Sequence, residues 1–142
     1  MNLSTYQAVV LQSRAQRAIK SSLAAALRAY ELTMMQWSII GLIHEAGEKG
    51  VRISDLAQQL DTSLAFVTTT VNMLEAKNLV RRTGHMHDSR AKVVTLDEKF
   101  ASQVWTVEQA IASEQRQTLY SGLSDSDIET YFKVLRHIAS RD

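Results

Sequence analysis

The residues best equipped for chemistry lie between positions 61 and 92. His85-Met86-His87-Asp88 sets two imidazoles two residues apart beside a carboxylate, a donor set that zinc accepts. No third ligand cluster stands near it and the chain has no cysteine, so a solvated tip with partly charged histidines is the better reading. His44-Glu45 does not complete the His-Glu-x-x-His spacing, which excludes that metalloprotease pattern. The chain also lacks a glycine-rich phosphate loop, a Gly-x-Ser-x-Gly elbow and paired carboxylates in an apolar setting. No catalytic group, metal or cofactor is expected, and the chain does not read as an enzyme. What remains is a cationic set, Arg81, Arg82, Arg90 and Lys92, just after the short neutral hydrogen-bonding side chains Ser63, Thr68, Thr69 and Asn72. Groups of these two kinds suit phosphates and base edges.

The elements that must position these residues begin at 61–82, which reads as a helix followed by a strand. Asp61, Thr62 and Ser63 are capping residues whose oxygens can take the free N–H groups of a helix start. Val67, Val71 and Leu74 then form one buried stripe, leaving Thr68, Thr69 and Asn72 on other faces. Lys77 suits the negative helix end, and Asn78 tolerates the left-handed conformation that closes it. Leu79-Val80 begins a strand that leaves through Arg81-Arg82. A polar loop, TGHMHDSRA, leads to KVVTL, where Val94 and Leu96 alternate with Val93 and Thr95 as in a half-buried strand. A helix bearing small polar groups and a basic hairpin together fit a DNA groove and its backbone, although an ordinary domain can hold the same two elements.

The rest of the chain is helical in pattern, and its lack of proline leaves long helices uninterrupted. Residues 4–30 predict one helix with Tyr6, Val10, Ile19, Leu23, Leu27 and Tyr30 on its apolar face, too long for a small core to cover alone. A second helix spans 32–46 with Thr33 placed to cap it. Gly47 and Gly50 mark a turn, and Val51-Arg52 leads into the short helix ISDLAQQL. A further helix runs from about 97 to 120 and ends near Gly122. The SDSD at 124–127 opens the last helix, which turns Ile128, Tyr131/Phe132, Leu135 and Ile138 inward. With 142 residues and 45% of them apolar, the chain can fold as one domain, or as a smaller domain with long helices seeking a partner. No apolar run approaches a membrane span and the first residues lack a secretory pattern, so a cytoplasmic protein is expected. The net charge of +1 makes any polyanion contact depend on how the charges are distributed.

In this order of elements, three stretches resemble the multiple-antibiotic-resistance regulator (MarR) family of winged-helix transcription factors. LTMMQWSII is similar to the family's LT-x-x-Q-[WF] helix, VNMLEAKNLVRR to its L-E-x-x-G-L-V-x-R signature, and DSRAKVVTL to its D-x-R-x-K-x-V-x-L wing. The chain departs from the pattern in three places. Asn78 replaces the usual glycine, Leu96-Asp97-Glu98-Lys99-Phe100 replaces L-T-x-x-G after the wing, and the helix before Lys77 has no arginine or lysine. The resemblance implies a mostly α fold with a small β-wing, in which 32–97 form a winged helix-turn-helix DNA-binding domain. Residues 1–31 and 98–142 would form an intertwined helical dimerisation region. It further implies a homodimeric regulator, most simply a repressor, on palindromic double-stranded DNA. Ser63, Thr68, Thr69 and Asn72 would reach bases or phosphates. Arg81, Arg82 and Lys92 would contact phosphates, Arg90 would enter the minor groove, and Asp88 would orient Arg90 or Arg82. A small lipophilic or aromatic effector is implied where the first, second and fifth helices meet. Tyr30, Met34, Trp37 and Trp105 would line that cleft with Arg14 or Arg17 as counter-charge, though such spacing equally suits core residues. The competing reading is a winged-helix protein-interaction module or anti-repressor that does not bind DNA, motivated by the uncharged helix and the near-zero net charge.

Overall fold

The computed structural model describes residues 4–85 and 88–141. Its elements are α1 (Thr5–Leu27), α2 (Met34–Ala46), α3 (Ile53–Gln59), α4 (Leu64–Ala76), β1 (Val80–His85), β2 (Asp88–Leu96), α5 (Glu98–Gln117) and α6 (Asp125–Ala139). Single 3-10 turns occupy Arg28–Tyr30 and Gly47–Lys49. The fold is therefore mostly helical with one small antiparallel wing, as the sequence implies.

Local signals set the boundaries. Ser4, Thr33 and Ser124 each accept from the backbone three residues on, while Gln7, Gln36 and Asp127 return the bond to complete capping boxes. Three helical segments close alike. Glu31, Asp61 and Asn78 take left-handed φ values of 55°, 49° and 61°. The next residue's N–H then reaches back five positions, from Leu32 to Leu27, Thr62 to Ala57 and Leu79 to Leu74, at 3.3, 3.1 and 3.0 Å. These bonds satisfy carbonyls that a helix end leaves open. The helix expected across 4–30 thus stops at Leu27, because the chain turns at Glu31. Asp61 closes α3 rather than opening α4, and of the three capping candidates Ser63 is the N-cap.

The core gathers Ile39, Ile40 and Ile43 of α2 with Leu56 of α3 and Val67, Val71 and Leu74 of α4, beside Val80 and Val94 of the strands. Each such aliphatic side chain, fully removed from water, contributes roughly 1.5–3 kcal/mol. Leu27 of α1 joins them, as do Val104 and Ile111 of α5. β1 pairs with β2 so that Val80 faces Leu96, Arg81 faces Thr95, Arg82 faces Val94 and Thr83 faces Val93, with an irregularity between Thr83 and His85. Val51 exchanges two backbone hydrogen bonds with Val94, at 3.1 and 2.8 Å, and so ties the chain before α3 to the wing. That approach requires Gly50, since a Cβ there would sit 2.9 Å from the Val94 carbonyl oxygen at a φ of +71°. α6 contributes no buried residue. Among the described residues no helix is long and apolar enough to cross a membrane.

Candidate nucleic-acid interface

α3, the turn at residues 60–63, and α4 form a helix-turn-helix, and β1–β2 follow it directly. The inner side of α4 is the buried set Val67, Thr70, Val71 and Leu74, so its opposite side faces solvent. Ser63 stands at the amino end, where its hydroxyl accepts from the Phe66 N–H at 3.1 Å. Thr68 and Thr69 lie on the outer and lateral faces. Their hydroxyls donate to the Leu64 and Ala65 carbonyls at 2.8 and 3.0 Å, so those protons are spent within the helix. Asn72 is exposed, and its side-chain carbonyl accepts from the Arg82 guanidinium.

Arg82 is therefore turned back onto α4. It also lies 3.9 Å from Glu75, and its Nε is buried without a partner among the described residues. The partner expected for it, Asp88, stands on β2 at the pairing position opposite His85. Arg90 is on the same strand, two residues on. Arg81 and Lys92 are exposed cations on the two strands. Of the candidate metal tip, Met86 and His87 lie outside the described residues, and no group of three metal-binding side chains occurs among the described ones.

Lys77 has a different task from the one its position suggests. It is the C-cap of α4, and its Nζ donates to the Glu31 carbonyl at 2.6 Å, fastening the helix to the turn before α2. This bond spans 46 residues and had no signal in the sequence. Glu75 beside Arg82 was also missed, although its place ahead of the Arg81-Arg82 pair hinted at it.

The residues proposed for an effector are spread more widely. Trp37 is buried, Met34 is half-buried, and Arg14, Arg17, Tyr30 and Trp105 are exposed. Burial pushes the Glu108 carboxyl of α5 above its usual 4.5, and the polar edge of the Trp37 indole partly offsets that. A cleft of about 560 Å³ lies between α2, the wing and α5, lined by Ile43, His44, Arg81, Thr83 and Glu98 among others. It shares no residue with the expected set.

A helix-turn-helix followed by an antiparallel hairpin defines a winged-helix protein. The sequence model of the MarR family matches residues 32–92, from α2 into the wing. Solved structures similar to the chain span nearly its whole length. A MarR-family transcriptional regulator from Rhodococcus sp. RHA1 aligns with a TM-score of 0.85 at 21% identity, covering 98% of this chain and 96% of its own. CouR from Rhodococcus jostii RHA1, bound to p-coumaroyl-CoA, aligns at 0.79 with 22% identity over 93% and 91%. An S. aureus MepR–DNA complex aligns at 0.76 with 23% identity over 98% of each chain.

Proposed function

We propose that this chain is the subunit of a homodimeric transcriptional regulator, acting as a repressor on a palindromic site in double-stranded DNA. The observation that carries the reading is the solvent-facing side of α4 standing beside a wing whose strands hold Arg81, Arg90 and Lys92. In this reading α4 enters the major groove, Ser63 and the wing cations engage phosphates, and Arg90 reaches the adjacent minor groove. Arg82, held by Asn72 and Glu75, sets the angle between helix and wing as well as contributing charge. The likeness to the MepR–DNA complex supports this arrangement. Electrophoretic mobility-shift titrations test it. Binding should weaken steeply with salt, and Arg90→Ala should lose roughly 1–3 kcal/mol of affinity with the melting temperature unchanged. Retention on duplex DNA that is weak and indifferent to salt would favour the protein-interaction reading instead.

The same proposal extends to release by a small lipophilic or aromatic ligand, supported by the likeness to CouR. Arg14, Tyr30, Met34, Trp37 and Trp105 are its proposed contacts, drawn together by helices of the second subunit. A ligand acts this way only by binding better to a dimer whose α4 helices are wrongly spaced. Quenching of tryptophan fluorescence by salicylate-like compounds is the expected sign.

A further inference from the structure

The outer face of α4 is unusual for a helix that meets DNA, because it has almost nothing with which to hydrogen-bond a base. Its central stripe is Ala65, Thr69, Asn72 and Ala76, all exposed and spaced four, three and four apart. Phe66 and Met73 flank the stripe at 46% and 50% exposure, and Leu64 at the first turn stands at 56%. The Thr69 hydroxyl proton is committed to Ala65, and the Asn72 oxygen to Arg82. The helix has no cation between Leu64 and Ala76, and its one acid, Glu75, faces Arg82.

Guanine is read chiefly by arginine or lysine at its O6 and N7, which this helix lacks. The apolar feature that a major groove offers is the thymine C5-methyl group, and alanine, threonine methyl and phenylalanine are the surfaces that meet it. We infer that α4 selects its half-site mainly by packing Ala65, Thr69 and Met73 against thymine methyl groups, with the Asn72 amide as the one polar reader. The exposed cations Arg81 and Lys92 beside the helix favour a polyanionic duplex over an apolar protein surface as the occupant. The inference rests on the proposed DNA binding and specifies what that binding reads.

The test begins by selecting duplexes from a randomised pool with the purified full chain. Single thymines in the selected half-sites are then replaced by deoxyuridine, which deletes the methyl group and keeps the base pair. Thymine should be enriched beneath α4, and each critical replacement should weaken binding roughly fourfold, the worth of one buried methyl. Met73→Ala or Thr69→Ser, both at exposed positions, should abolish the sensitivity at one thymine while leaving the others. A minor-groove contact by the wing does not touch this methyl group, and an indirect effect through groove shape would persist in the α4 variants. Tight, salt-dependent binding that ignores deoxyuridine at every half-site thymine would overturn this inference and leave the DNA reading intact. If no duplex is retained even at low salt, both fall together.

Discussion

Asn78 shows how much one residue's conformation decides at the end of α4. Its φ of 61° directs the Leu79 N–H back to Leu74 and turns the chain into β1. Asparagine tolerates this region better than most L-residues, yet its Cβ still crowds the backbone, which glycine avoids. Asn78→Gly should therefore raise stability by a few tenths to about 1 kcal/mol in denaturant unfolding, with the slope unchanged. A loss would mean that the Asn78 side chain holds something beyond the turn. Glu108 makes a second prediction at this scale. Its folded carboxyl holds its proton more tightly than the ordinary value of 4.5, because burial disfavours the charge. Its contribution to stability is then fully present below 4.5 and fades as pH rises through the raised folded value. Glu108→Gln removes the charge but keeps the size and a carbonyl acceptor. The variant should melt no lower than the parent at about pH 7, and the gap should narrow toward about pH 4. A deficit of the same size at every pH would assign Glu108 a purely structural role.

At the scale of elements, α4 couples the core to the surface proposed to meet DNA. Val67, Val71 and Leu74 have no exposed area, so the helix is anchored along one side and can present the other rigidly. Leu74→Ala leaves a cavity between α4 and its neighbours and should cost about 2–5 kcal/mol, read as a lower melting temperature. A much smaller loss would show that the site collapses and that α4 is held elsewhere, for instance through Lys77 and Glu31. These elements also show what a sequence discloses. The stripe of α4, the caps at Thr33 and Ser124 and the turn at Asn78 were legible because each depends on residues within a few positions. The second wing strand was legible from Val94 and Leu96 alternating with Val93 and Thr95. The seat of Arg82 was not legible, since the choice among Asp88, Glu75 and Asn72 is made by how the hairpin leans on the helix. Exposure of Phe66 and Met73 was hidden for another reason: helical spacing shows which residues share a face, but not whether a neighbour covers it.

For the whole molecule, α1 and α6 carry apolar faces that their own chain leaves exposed. Tyr6 on α1 is 71% exposed and Ile138 on α6 is 61% exposed, and Val9, Val10, Phe132 and Val134 are exposed beside them. A soluble monomer rarely leaves contiguous apolar faces on two separate helices. α1 reaches its own chain mainly through its carboxyl half, where Ala26 and Leu27 are buried, and α6 buries nothing. A second copy of the chain is the occupant proposed here, and a two-fold pair would bury the same residues on both sides. Removing apolar contact from α6 should then separate the subunits without unfolding the winged helix, to whose core α6 contributes no buried residue. Phe132→Glu combined with Ile138→Glu places two desolvated carboxylates in each copy of the interface. Sedimentation equilibrium should find the parent at twice the chain mass and the double variant at the chain mass, with far-ultraviolet circular dichroism still helical. In the proposed mode each α4 takes one half-site, so the variant should also lose most of its preference for a palindrome over a single half-site. A parent chain that sediments as a monomer would leave these faces for some other partner and would remove the geometric basis for palindromic recognition.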